Sequence, residues 1–334
     1  MMGTRPARQP IREVWSRERL VHERAIALGN AMDQTTLRSY GSALNSYLTF
    51  VKTHDLPVEP NEDTLSFFTV YMSHHINPRS VNTYLSGIIQ QLEPYFPNVR
   101  EARNSLLVKR TLRGCMRMKG TAVGRKQALS LNDLNVVAGH YSNSEDHDDS
   151  DILFVAMIYT GFFGLMRLGE LTFPDDKSIQ NWRKVTRRSS VSISAETYEF
   201  HLPGHKADRF FEGNRIIIRG EQFGHHPLHH FTRYLTSRDH IHPIASPLWI
   251  MKSGHVPTRS FFISRLRLFF SKEIMGQSMR AGGATALAEH GAPPSIIQAT
   301  GRWASEAFWI YIRKNPTLIQ GLLHARAHGI SFDV

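Results

Sequence analysis

Cysteine occurs once in these 334 residues, at Cys115. A single thiol closes no intrachain disulfide and excludes a cysteine-rich zinc module. Missing too is any stretch of the ~18 uncharged apolar residues that a membrane span needs. No Gly-x-x-x-x-Gly-Lys-Ser/Thr loop is present to cradle a nucleotide phosphate. The segment from Met1 to Ser16 carries Arg5, Arg8, Arg12 and Pro10 around no apolar centre, so it does not read as a signal peptide. Internal repeats and low-complexity tracts are also lacking. With 41% hydrophobic residues the chain can bury real cores, and its length suits two domains. A soluble, intracellular protein is expected.

Acidic charge is scarce, 29 Asp and Glu against 40 Lys and Arg, for a net charge of +11. Its distribution says more than its size. Residues 1–99 balance to zero, residues 100–126 carry +8, and residues 152–334 carry +9. Between the basic segments runs an acidic stretch with Glu145, Asp146, Asp148, Asp149 and Asp151. Two basic surfaces around one acidic loop point to a polyanion clamped between two domains, nucleic acid above all.

The apolar pattern predicts a mainly helical chain with one small antiparallel β-sheet. After an N-terminal extension (1–34), Leu37, Tyr40, Leu44, Tyr47, Leu48 and Val51 recur at steps of three and four, one face of a helix. A second helix fits Glu62 to His74, with Thr64 as its entry. Pro78 opens a third, whose stripe runs through Val81, Tyr84, Leu85, Ile88, Ile89 and Leu92 until Pro94 and Pro97 end it. The basic segment makes a fourth, with Leu106, Leu107 and Leu112 inward and its cations outward. These helices form a domain over 35–120, joined by a linker (121–128) to a second domain over 129–334. There a helix begins near Asn132, and Ile152 to Leu168 is too uniformly apolar for a surface helix. Val191 and Ile193, then Tyr198, Phe200 and Leu202, then Ile216 and Ile218 switch to period two and read as three strands. Helices return at Pro227–Thr236, Arg259–Phe270, Ser278–His290, Ser295–Ala299 and from Ser305 onward.

Two segments carry chemistry. One is Tyr159-Thr-Gly-Phe-Phe-Gly-Leu-Met-Arg-Leu-Gly-Glu-Leu171. The other is Gln277-Ser-Met-Arg-Ala-Gly-Gly-Ala-Thr285, followed by Gly301-Arg-Trp303 and Phe308-Trp-Ile-Tyr-Ile-Arg313. Displacement at a phosphodiester builds charge on two non-bridging oxygens, where planar cationic forks are wanted. Arg167 and Arg280 are the candidates. An ion pair of Arg167 with Glu170, three residues on, is compatible with that role. Gly282–Gly283 permits either close helix packing or close approach of a DNA backbone. Tyr311 is a usable nucleophile once its proton is removed or stabilised, although a tyrosine in so apolar a run is ordinarily core. Trp303 brings one indole donor, suited to a phosphate oxygen.

In this order and spacing the motifs resemble the catalytic domain of the tyrosine recombinases, the phage-integrase family, and are similar to its Cre-like branch in having Trp303 where many members have His. The first 120 residues are similar to that family's helical, SAM-like core-binding domain. The resemblance implies a site-specific recombinase or integrase that breaks and rejoins double-stranded DNA through a 3′-phosphotyrosine on Tyr311. Arg167, Arg280 and Trp303 would hold the phosphate, with Glu170 supporting. It also implies a lysine general acid in the β-hairpin, and Lys206, the only lysine between Lys184 and Lys252, fills that place, with His205 as the weaker alternative. The box that usually begins with His begins with Gln277, which donates a hydrogen bond but moves no proton. Candidate DNA contacts are Arg79, Asn82, Lys109, Arg110, Arg113, Arg117, Lys119, Arg125 and Lys126. The reaction class requires no metal and no other cofactor. His225, His226, His229 and His230 include i, i+4 pairs without a carboxylate or cysteine partner, so zinc is not expected. A last helix over 316–327, with Leu318, Ile319, Leu322 and Leu323, would dock in a neighbouring subunit and build a homotetramer on paired sites. A likeness to recombinases of eukaryotic, particularly fungal, mobile elements would place the protein in a nucleus. The competing readings are a helix-turn-helix DNA-binding protein built on Ala284–Ala299, or a recombinase fold that retains DNA binding without cleavage.

Overall fold

The computed structural model describes residues 12–121, 124, 126–142, 148–204, 213–304, 308 and 309. The chain divides into two compact units, Met1–Val123 and Gly124–Val334. Lys206, Arg125, Tyr311 and the 316–327 segment lie outside the described residues.

Within the first unit the residues read as an extension contain a helix, α1 (Arg17–Gly29), capped by the Ser16 side chain. It buries no residue, and the lack of a buried stripe is why periodicity misses it. α2 (Gln34–Thr53) starts on Asp33 and turns Ala43, Tyr47, Phe50 and Val51 inward. α3 (Glu62–His75) is entered one turn before Thr64. Asn61 is the cap, accepting from the Thr64 amide at 2.9 Å, and Thr64 Oγ1 accepts from the Asn61 amide at 3.0 Å. Thr64 is thus the third helical residue of a reciprocal cap. α4 (Pro78–Leu92) begins at its proline and buries Val81, Leu85, Ile88, Ile89 and Leu92.

The predicted fourth helix is two: α5 (Val99–Asn104) and α6 (Leu106–Lys119). Ser105 ends the first in an extended conformation and caps the second, its hydroxyl accepting from the Val108 amide at 3.3 Å. That restart sets the helical phase. Val108, Leu112 and Cys115 face the core, while Leu106 and Leu107 are 62% and 43% exposed. Leu106 lies about 200° of turn away from Val108, so both cannot face inward, and the longer stripe prevails.

In the second unit the apolar segment becomes α8 (Asp149–Phe163), every residue of which from Leu153 to Phe163 is buried. α7 (Leu131–Ser142), α10 (Pro227–Ile241) and α12 (Ser278–Glu289) pack around it. α10 outruns its predicted end at Thr236 because Arg238, 2% exposed, anchors the last turn to the carbonyls of His242, Ala245 and Pro247. α12 approaches so closely that a Cβ on Gly283 would lie 2.0 Å from the Phe162 carbonyl oxygen, and one on Gly282 1.9 Å from that of Leu129. The paired glycines serve helix packing.

Three strands, β1 (Ser192–Ile193), β2 (Thr197–Leu202) and β3 (Asn214–Arg219), form an antiparallel sheet in sequence order. Tyr198 pairs with Ile218 and Phe200 with Ile216. This alternate set faces the core, where Tyr198 stacks on Phe231 at 4.1 Å. α9 (Leu168–Leu171), α11 (Arg259–Phe269) and α13 (Pro294–Gly301) complete the described elements. The fold is mainly helical with a small antiparallel sheet, as the pattern predicts.

Candidate active site

The site begins where α8 ends. Leu165 adopts a left-handed conformation, φ +47°, which turns the chain sharply and leaves its carbonyl facing inward. Two residues later Arg167 caps α9, and Glu170 folds back on it. The Arg167 amide and its Nη1 each donate to the Glu170 carboxylate at 2.9 Å. Glu170 is 9% exposed and Arg167 half-buried, so the pair is held in place while the guanidinium keeps access to solvent.

α12 contributes Arg280, 5% exposed. Its Nη1 donates to the Leu165 carbonyl at 2.9 Å and its Nη2 to the Gly301 carbonyl. The guanidinium carbon sits 4.2 Å from the centroid of the Trp303 ring, a cation–π stack that fixes the plane of both groups. Gly301 permits that ring to fold back, since a Cβ there would stand 1.7 Å from it. Beneath lie Leu165, Ala284, Ala288, Ile297 and Phe308, a small separate core on which Trp303 also rests. Gln277 stands exposed at the head of α12, one turn before Arg280, and its side chain caps no amide.

The structure therefore brings together Arg167, Glu170, Arg280 and Trp303, with Gln277 at the adjoining helix start. One participant escapes the sequence reading. Arg302, 7% exposed in its side chain, donates from Nη2 to Glu170 at 3.0 Å and to the Leu165 carbonyl at 3.2 Å. Burial pulls its pKa below the ordinary arginine range, and Glu170 opposes that shift. Its neighbours Gly301 and Trp303 carry the motif; the signal of its own is a cation set between two residues with structural roles.

The candidate DNA contacts in the first unit are mostly solvent-facing. Lys109, Arg110, Arg113 and Arg117 are exposed on the face of α6 opposite Val108, Leu112 and Cys115, and Lys119 is half-buried. Arg79 is exposed in the first turn of α4. Asn82 is exposed but already engaged, its side-chain oxygen accepting from Arg103 Nη2 at 2.5 Å. Lys126, in the second unit, lies 4.0 Å from Glu273. The four histidines do not gather as ligands; His225 Nδ1 faces the Tyr159 hydroxyl at 3.4 Å, and the His230 ring packs on Tyr159 at 4.3 Å. Among the described residues no group of three or more His, Cys, Asp or Glu is placed to hold a metal ion.

Solved structures similar to this chain share one fold. XerH site-specific recombinase bound to palindromic difH substrate, in a post-cleavage complex, aligns with a TM-score of 0.59 at 15% identity, covering 88% of this chain and 79% of that one. The Tn1549 transposon integrase in complex with transposon right end DNA aligns with a TM-score of 0.57 at 11% identity, over 92% and 98%. A lambda integrase dimer bound to a COC′ core site gives 0.56 at 12% identity, over 94% and 96%. No protein-family model and no curated protein sequence matches the chain. The chain has the tyrosine-recombinase fold.

Proposed function

We propose that this protein is a site-specific DNA recombinase that acts on double-stranded DNA through a tyrosine nucleophile. The observation that carries the reading is the gathering of Arg167, Arg280 and Trp303, from three separate segments, around the Leu165 turn. Two buried or half-buried guanidinium groups held by acceptors suit the non-bridging oxygens of one phosphate. In this reading Tyr311 gives up its phenol proton to solvent and attacks the phosphorus, the bond to the 5′ oxygen breaks, and Lys206 supplies the proton that the departing oxygen takes. The phosphodiester energy stays in the 3′-phosphotyrosine bond, so rejoining needs no cofactor. Lys206 and Tyr311 hold these roles by resemblance. The exposed cations of α6 would position the duplex through its phosphates, and the 316–327 segment would join subunits into a homotetramer on paired sites.

A nicked suicide duplex, made from DNA that the protein protects from nuclease, tests the reading. Covalent protein–DNA adduct is expected, and Tyr311→Phe should eliminate it. Binding without adduct would leave a DNA-binding protein of recombinase fold, the alternative that Gln277 keeps in view.

A further inference from the structure

Arg302 ends α13 in a left-handed conformation, φ 56°, ψ 43°. Glycine takes that position freely, and any side chain there is disfavoured. Arginine makes it costlier still, because its guanidinium is then buried and its Nε has no hydrogen-bond partner among the described residues. The remaining nitrogens are fully used. Nη1 donates to the carbonyls of Gly164 at 3.2 Å and Thr300 at 3.1 Å, and Nη2 to Glu170 and the Leu165 carbonyl.

Those acceptors are the ones that hold the two candidate forks. Glu170 is the partner of Arg167, and the Leu165 carbonyl is a partner of Arg280. We propose that Arg302 is a positioning residue of this site, fixing Arg167 through the shared Glu170 carboxylate and Arg280 through the shared Leu165 carbonyl. It also sets the local charge. Arg167 with Glu170 alone is a neutral pair, whose carboxylate would compete with a phosphate for the guanidinium. With Arg302 the trio is cationic, and Glu170 is divided between two partners, leaving Arg167 free to turn a face to the DNA. Arg302 itself is too enclosed to touch a duplex.

The inference rests on the recombinase reading and is tested on the same suicide duplex with the full chain. Arg302→Gly suits the backbone and removes only the side chain. Its single-turnover adduct rate should fall roughly ten- to hundredfold, the range expected for losing charge-assisted hydrogen bonds, while affinity for the duplex stays within about threefold. Arg302→Lys reaches Glu170 but cannot span the carbonyls, so its rate should lie between. An Arg302→Gly rate equal to wild type overturns the proposal. So does a parallel loss of rate and affinity, which marks a purely structural clamp. If Arg302→Gly does not fold, as judged by thermal unfolding, Arg302→Lys decides: a reduced rate at unchanged affinity supports positioning, and an unchanged rate refutes it. A wild-type chain without adduct fails the recombinase reading itself, and the positioning role falls with it, a pattern distinct from wild-type adduct that Arg302 does not affect.

Discussion

Arg280 and Trp303 are stacked, guanidinium carbon to ring centroid 4.2 Å, and neither side chain can move without the other. Trp303 holds Arg280 and, in the proposed function, would also offer its indole donor to a phosphate oxygen, two roles that substitution can separate. Trp303→Phe keeps an aromatic face for Arg280 but removes the indole donor. Cleavage should slow roughly tenfold, with binding intact, if that donor meets a phosphate oxygen. Trp303→Ala also removes the stack, worth about 0.5–2 kcal/mol, and opens the small core with Phe308. It should lower both rate and melting temperature. Equal rates for wild type and Trp303→Phe would confine Trp303 to holding Arg280.

Gly283→Ala distinguishes packing from DNA approach. With the Phe162 carbonyl 2.0 Å from the new Cβ, α12 must shift away from α8. Overpacking ordinarily costs about 1–3 kcal/mol, and backbone against backbone leaves little room to yield. Urea unfolding should show a loss at the upper end of that range or beyond. A stable Gly283→Ala protein that fails only to bind DNA would favour the opposite account.

The motif residues are legible because their surroundings are apolar: Arg167 closes a buried segment, so a charge there needs a partner, and Glu170 stands three residues on. The period-two stretches mark β2 and β3 for the same reason, each burying alternate residues, whereas both residues of β1 are exposed and only its pairing with β2 makes it a strand. What periodicity does not reach is whatever lacks a buried stripe, as α1 does, or depends on a cap. Ser105 restarts the helix and rotates Leu106 and Leu107 outward. Arg302 is hidden differently. Its partners come from a turn 137 positions earlier and from Glu170, and its left-handed backbone is a place where sequence leads one to expect glycine.

The exposed cations of α6 should bind phosphates. Neutralising Arg113 and Arg117 together with glutamine should lower the slope of log affinity against log salt by about 2, roughly 0.9 for each phosphate no longer neutralised. All sequences should weaken alike, since binding to phosphates does not read bases. Both residues are solvent-facing, so melting temperature should hardly change. A slope identical to wild type would remove α6 from the interface.

His230 gives the second unit a defined acid sensitivity. Burial first, then the neighbouring His229, Arg233, His225 and His226, push its pKa down to about 4 from an ordinary 6.5. The unfolded chain binds the proton more readily, so stability is full above about pH 6.5 and declines as pH falls towards 4. A single proton contributes at most ~1.4 kcal/mol per pH unit across that window. Burial depresses His225 as well and adds to the trend. Urea midpoints between pH 7.5 and 5 should fall for wild type and less steeply for His230→Phe, which keeps a ring on Tyr159. Parallel profiles would show that His230 titrates alike in the folded and unfolded chain.

Gln277 is the sharpest test of chemistry. It stands exposed at the head of the helix that carries Arg280 one turn later. Glutamine retains a donor but transfers no proton. A positioned acid–base group typically contributes ~10²–10⁴ in rate, whereas one charge-assisted hydrogen bond contributes about 1.5–3 kcal/mol, or ~10–10². Wild type should thus be slow rather than inert. Gln277→His should raise the single-turnover adduct rate at least tenfold, with a new dependence on pH near the histidine range, and Gln277→Ala should lower it. Because position 277 is exposed, none of these changes should disturb the fold, and Arg280→Ala should abolish cleavage in every background. An unchanged rate in Gln277→His, with the adduct still lost in Tyr311→Phe, would mean that proton transfer in this site is handled elsewhere, leaving Gln277 only its hydrogen bond.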